Sequence, residues 1–250
     1  MASPYDGIPE EKWREITQLL LEKHPLKCAD ILSISESSWA SLWATTIGAD
    51  EDAISINDLP LPATVIGYFF EKLFAKKLSD LTGQQWRGGH GGEKDLVCVA
   101  DPSLSIEIKA SGQMGLKIFG NRSFGQELMP GSSGKKEKSG YYITVNFYGT
   151  KLSLIRFGWI DGSDWQAQKS ATGQMAGLGP AVYKGKLFPI KGGYTLNAPV
   201  NLLDGVGPKK AVELMGAGIS SIRDVLDRGK SFGDSKLYAA ASAFRDSYAG

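Results

Sequence analysis

Three residues near the middle of the chain could do chemistry together. Glu107 and Lys109 flank Ile108 in the apolar run "SIEIKAS" (105–111), and Asp95 opens the run "DLVCVA" (95–100) just upstream. Side chains alternate along a strand, so Glu107 and Lys109 share one face while Ile106 and Ile108 take the other. A hairpin folded about residues 101–102 would set Asp95 opposite Glu107 or Ile108 and bring all three onto one patch. Two or three carboxylates in such a patch supply the hard oxygen ligands that Mg²⁺ prefers. The metal would polarise a phosphoryl oxygen and acidify a bound water. Lys109 would orient that water or stabilise charge in the transition state. Asp101 is the rival carboxylate, although its place before Pro102 in the turn explains it well. A structural ion pair is the plainer account of an isolated Glu-x-Lys.

The elements that must position these residues can be read from periodicity. Residues 62–82 form the longest helix, with Val65, Ile66, Phe69, Phe70, Leu73, Phe74 and Leu78 at helical spacing. Glu71 falls at the edge of that face and could join the patch. Residues 95–100 and 104–110 read as two short strands about a "DPS" turn. "YYITVNFY" (141–148) and "KLSLIRFGWI" (151–160) are two more, joined at Gly149, and 183–194 suggest a last short strand. Upstream, 9–24 and 35–46 are expected to be helices, the second capped by Ser35. Residues 161–178 read as mixed loop and helix and "LNAPVN" as a linker.

The order helix with an acid, strand opening on Asp, turn, strand with Glu-x-Lys resembles the PD-(D/E)XK nuclease superfamily across "KDLVCVADPSLSIEIKAS" (94–111). Lys94 stands where that pattern has proline. The longer runs 106–126 and 140–165 look like type II restriction endonucleases, most nearly the ScaI-type family, over about residues 60–195. The resemblance implies an α/β fold, a mixed sheet flanked by helices. It implies that Asp95 and Glu107 bind metal, that the Ile108 carbonyl adds a ligand, and that Lys109 is catalytic, with Glu71 secondary and Ser111 and Gln113 close by. It also implies double-stranded DNA as substrate, Mg²⁺ as cofactor, and a homodimer acting on a palindromic site. A DNA methyltransferase would be encoded nearby.

A second signal lies in "LLDGVGPKKAVELMGAGISSIRDVL" (202–226). It reads as short helix, Gly205-Val206-Gly207 hairpin, helix, turn at Gly218, helix, with Pro208 at a first helical position. The hairpin amides and helix N-terminus would face a phosphate, beside Lys209 and Lys210. Ala211, Leu214, Ile219, Ile222 and Val225 would be its core. This resembles a helix-hairpin-helix module, which grips the DNA backbone without reading sequence. The expected organisation is a helical subdomain over 1–48, a nuclease core over 49–196 and this small all-α domain over 197–250.

Composition agrees with these expectations. The net charge of +1 hides an asymmetry: residues 1–60 carry 11 acids and 4 bases, the other 190 carry 16 acids and 24 bases. A basic body suits a polyanion. No apolar run is long enough to span a membrane. Cys28 and Cys98, and an N-terminus without a signal pattern, fit a reduced, cytoplasmic protein. Asp164, Gln166, Gln168, Lys169 and Gln174 could hydrogen-bond base edges. His90 in "GGHGG" and "KKEK" (135–138) are weaker candidates for catalysis and a DNA clamp.

Two other functions remain compatible. Structure-specific flap and junction nucleases share the plan of nuclease core plus helix-hairpin-helix. Their Glu-Arg-Lys-x-x-x-Asp signature is absent, since 107–113 read EIKASGQ. A non-catalytic DNA-binding protein would make the Glu-Lys pair structural.

Overall fold

The computed structural model describes residues 2–121, 137–167, 175–229 and 233–250. The chain begins with helices α1 (Trp13–Lys23) and α2 (Cys28–Trp43), the small hairpin β1 (Thr46–Ile47) and β2 (Ile54–Ser55), and the long helix α3 (Ala63–Leu81). Then come β3 (Trp86–Gly88), β4 (Leu96–Cys98), β5 (Ile106–Ser111), β6 (Phe119–Asn121), β7 (Gly140–Tyr148) and β8 (Lys151–Ile160). β9 (Trp165–Ala167), β10 (Met175–Leu178), α4 (Pro180–Gly185) and β11 (Leu187–Pro189) close the body. Three helices follow: α5 (Pro208–Gly216), α6 (Ile222–Arg228) and α7 (Ser235–Tyr248).

A six-stranded mixed sheet runs in the order β11-β8-β7-β5-β4-β3. Only β5 and β7 are parallel neighbours. The fold is the expected α/β type. β7 and β8, rich in aromatic and β-branched residues, are buried along nearly their whole length, as central strands covered on both faces must be. Their tight connection uses Gly149 at φ +53°, a conformation that suits glycine. β6, β10 and β9 form a small second sheet.

The two faces of the main sheet bury different things. Ile106, Ile108, Tyr141, Ile143, Val145 and Phe147 face a large core shared with α1, α2 and α3. The side containing Tyr142 faces a smaller cluster with Ile118, Trp165, Ala176 and Leu187. Residues of the first 48, among them Tyr5, Ile31 and Trp39, belong to the large core and have no separate one. The C-terminal helices do have their own core, built on Ala198, Ile219, Ile222, Val225 and Ala241.

Several local expectations need correction. The second helix starts at Cys28, not Ser35; the Asp30 carboxylate takes the Lys27 amide at the true start, and Ser35 is buried two turns inside. The "DPS" turn is one turn of 3-10 helix (Pro102–Leu104) whose N-terminus Asp101 caps. Among the described residues, 161–178 contribute strands β9 and β10 rather than an α-helix. "LNAPVN" is no loose linker, because Ala198 and Val200 are buried in the C-terminal core.

Candidate active site

β4 pairs with β5 only at Leu96↔Ile106, so beyond that point the β5 edge away from β7 is left open. The register fits the turn geometry: extended by one residue, it sets Asp95 across from Glu107. Asp95 then reaches one residue further, and its Oδ2 accepts the Ile108 N–H at 2.8 Å. In a strand the N–H and C=O of one residue point to the same side. The Ile108 carbonyl therefore faces the same open edge, where Lys109 Nζ approaches it at 3.3 Å. Lys109 Nζ also donates to Glu107 Oε1 at 2.6 Å. The Glu107 side chain is 2% exposed and that of Lys109 20%. A buried carboxylate, a second carboxylate, a backbone carbonyl and a half-open ammonium thus meet at one strand edge.

α3 supplies the opposite wall. A cleft of about 370 Å³ is lined by Gly67, Tyr68 and Glu71 from α3, and by Ile108, Lys109, Ser111 and Gln113. Gly67 lets the helix sit against β5: a Cβ there would lie 3.1 Å from that of Ala110. Glu71 Oε1 accepts from Lys72 Nζ at 2.7 Å, and Lys72 lies over the Tyr68 ring. The Glu71 bond, followed by weaker contributions that include Asp95, raises the Lys72 pKa above the usual lysine value. So Glu71, Ile108, Lys109 and Ser111 line the cleft, and Asp95 and Glu107 adjoin it through their bonds to the Ile108 amide and the Lys109 ammonium. Among the described residues no three His, Cys, Asp or Glu side chains stand close enough to hold a metal by themselves. The donor set is instead two carboxylates and a carbonyl, hard oxygens that fit a small divalent cation retaining several waters.

Lys94, at the position where proline was expected, is 9% exposed. Its ammonium donates to the carbonyls of Glu137 (2.7 Å) and Ser139 (3.0 Å), tying the start of β4 to the start of β7. Asp101 is not part of the site; Ser103 holds its carboxyl below the ordinary aspartate value. His90 is exposed, does not line the cleft, and its amide donates to Glu93, which Arg87 clamps.

Asp164 is not available to read bases. Its carboxylate accepts from Lys186 Nζ (2.8 Å) and from the Asp161 amide (2.8 Å), and its side chain is 9% exposed. Burial, opposed by Lys186, raises its pKa above the ordinary value. Gln166 is exposed on β9. Gln168, Lys169, Gln174, Lys135 and Lys136 lie outside the described residues; Lys138 is buried. Residues that the spacing did not single out include Tyr68, Phe119 and Met175 of the cleft, and the exposed Lys72 that pairs with Glu71. An exposed aromatic on the Glu71 face of α3 was the available signal for Tyr68.

In the C-terminal unit, Gly205 has φ +81° and Gly207 is the N-cap of α5, with no side-chain cap of its own. Gly207, Pro208, Lys209, Lys210 and Glu213 line an open hollow at that helix start. Lys209 is exposed, Lys210 pairs with Asp234 at 2.6 Å, and the Val206 side chain is buried. Only the backbone of Val206 could meet a ligand.

Comparison with known proteins brings in the last finding. A family model described as ScaI restriction endonuclease matches residues 3–191. The type II restriction enzyme ScaI of Streptomyces caespitosus is 38% identical over 200 residues, 76% of this chain and 86% of that protein. No solved structure matches.

Proposed function

The chain belongs to the ScaI restriction endonuclease family and is a type II site-specific deoxyribonuclease, and from that premise we propose how its own residues cut DNA. The observation that carries the proposal is the strand edge at 107–109. There a buried carboxylate shares an ammonium with the Ile108 carbonyl, and Asp95 is bound to the amide of the same residue.

Asp95, Glu107 and the Ile108 carbonyl would hold Mg²⁺. Bound there, the metal would supply Lewis-acid stabilisation of the scissile phosphate and a more acidic water. Lys109, held at 20% exposure beside Glu107, presents a cation to the cleft and stabilises negative charge on the phosphate oxygens as they develop it. Burial of Glu107 fixes the ammonium in one place, so no reorganisation is needed at the moment of reaction. Glu71 lines the cleft and pairs with the exposed Lys72 beside it, a second cation that would meet backbone phosphate at the cleft's edge. A double-stranded palindrome is the substrate, and two copies of the chain cut its two strands. The hollow at Gly207–Lys210 grips backbone phosphate through the uncapped start of α5 and Lys209. Residues 197–250 then form a DNA-gripping domain appended to the nuclease body, and the gene has a DNA methyltransferase as its partner in the cell.

The test is digestion of plasmid DNA with MgCl₂ and with EDTA. Discrete fragments should form only with Mg²⁺, and sequencing their ends gives the site and cut position. Equal cutting by wild type and by Glu107→Ala or Lys109→Ala would remove the site assignment.

A further inference from the structure

The segment that leaves the catalytic strand is held at four successive points. At Gly112 a Cβ would lie 2.7 Å from Ala63 Cβ and from the Phe147 ring, so the chain is pressed between α3 and β7. The Leu116 carbonyl accepts from Arg156 Nη2 at 3.1 Å. The Lys117 carbonyl accepts from Asn146 Nδ2 at 2.9 Å. The Ile118 amide donates to the Tyr183 hydroxyl at 2.7 Å. Between the first and last of these points lies Gln113, and after them come Phe119 and Gly120, all three lining the cleft.

Arg156 is the centre of this arrangement. It sits in the middle of β8 at 6% exposure, with Nη1 on Asn146 Oδ1 at 2.8 Å and its guanidinium over the Tyr183 ring. Its partners are neutral, and burial lowers its pKa from the usual arginine value. A guanidinium buried among neutral groups is costly, and its hydrogen bonds to fixed neighbours offset part of that cost. Leu116 does a second thing: its side chain packs against the core of the C-terminal unit. One short segment therefore touches the reaction cleft, a buried arginine and the unit that contains the phosphate hollow.

We propose that Arg156 is a positioning residue for cleavage, holding segment 112–118 so that Leu116 links the C-terminal DNA-gripping unit to the cleft beside Lys109. The proposal rests on the site and grip assigned above. A rigid strap transmits position rather than charge: seating the C-terminal unit on DNA fixes Leu116, and Gly112 and Gln113 follow. Displacement of a reacting group by about 1 Å costs on the order of 10²-fold in rate. Loss of the strap should lower the rate of the cutting step and leave DNA affinity alone.

The experiment is single-turnover cleavage of linearised plasmid DNA with MgCl₂, beside binding to the same DNA without added divalent cation, both normalised to folded protein. Arg156→Met, which keeps volume without the donors, should cut at least about tenfold more slowly with near wild-type affinity. Arg156→Lys should recover part of the loss. Leu116→Ala should slow cutting similarly. In the Leu116→Ala background, Lys209→Ala should lose whatever effect it has on the single-turnover rate of the wild type, the coupling expected of linked sites. Should Arg156→Met fail to fold, the two Leu116→Ala comparisons decide alone. Wild-type rates in the folded variants, with Lys109→Ala inactive, overturn the strap and leave the active site standing. If Lys109→Ala also cuts normally, the site assignment itself is what fails.

Discussion

Two lysine–carboxylate clusters built from the same chemical parts stand in different parts of the chain. At the β5 edge, Lys109 meets Glu107 with 20% of the lysine side chain open to the cleft. Beside α4, Lys186 is 3% exposed and meets Asp161 at 2.7 Å and Asp164 at 2.8 Å. Its ammonium also lies 4.4 Å and 4.2 Å from the Tyr5 and Trp13 ring centres. The carboxylates of the second cluster are themselves used up: Asp161 accepts from Ser3 and from the Trp159 indole, and Asp164 accepts the Asp161 amide. Every charged atom there has a fixed protein neighbour, and the cluster ties the N-terminus to β8 and α4. The first cluster leaves one side open to a cleft and faces a second carboxylate across it. A closed cluster holds a fold, and an open one can take part in a reaction.

The sharpest way to break this comparison is to remove each lysine. Lys186→Ala leaves two buried carboxylates without their cation, and losing one partner of a buried pair costs about 3–5 kcal/mol. Urea unfolding should register that loss, while cleavage per folded molecule stays at the wild-type level. Lys109→Ala should do the opposite. Loss of a positioned cation should lower cleavage on the order of 10²–10³-fold, with a much smaller change in the urea midpoint. If Lys109→Ala were as destabilising as Lys186→Ala, the open cluster would be structural too.

A smaller effect separates the cleft from the hollow proposed to hold phosphate at the start of α5. Lys209 is exposed, and among the described residues no ion pair holds it. Lys209→Ala should leave stability unchanged and weaken binding to cognate and unrelated DNA alike. The slope of log affinity against log salt should fall by about 0.9, the value for one phosphate contact. A loss confined to cognate DNA would mean that this lysine reads sequence instead.

How each cluster could be read in the sequence differs for a physical reason. Asp95, Glu107 and Lys109 are linked by a short turn and by strand alternation, so spacing alone brings them together. Lys186 reaches Asp161 and Asp164 only because β11 folds back on β8 through Leu187↔Gly158, and the spacing does not announce a contact between Lys186 and Asp164, 22 positions earlier. That is why Asp164 read as a free polar residue. Arg156 was equally legible in kind: it is a charge inside the apolar run "KLSLIRFGWI", the same irregularity that drew attention to Glu107. Its partners at 116 and 146 come from two other segments, and no periodicity marks them. The small second sheet, β6-β10-β9, escaped for want of alternation in so short a strand as "WQA".

The smallest effect concerns a third polar group that is neither cluster, His24. The ring is fully buried against Trp86, Tyr141 and Phe157. The Leu26 amide donates to Nδ1 at 3.2 Å, which leaves Nε2 to carry the proton donated to the Leu104 carbonyl at 3.0 Å. Burial lowers its pKa from the usual histidine value, only partly opposed by those carbonyls. Above about pH 6.5 the ring is neutral in both the folded and the unfolded chain, so its contribution is complete. As pH falls below about 6.5 the unfolded chain binds a proton that the folded one does not, and stability falls until the lower folded value is reached. The loss cannot exceed about 1.4 kcal/mol per pH unit. Urea midpoints measured between about pH 7 and 5.5 should therefore fall for the wild type and fall less for His24→Gln, which cannot titrate. Because Leu104 leads directly into β5, Lys109 and Glu107 should feel the same proton only through unfolding: cleavage per folded molecule should not follow His24. Equal pH slopes in the two proteins would show that the buried ring titrates freely, and that the turn before β5 is looser than its hydrogen bonds suggest.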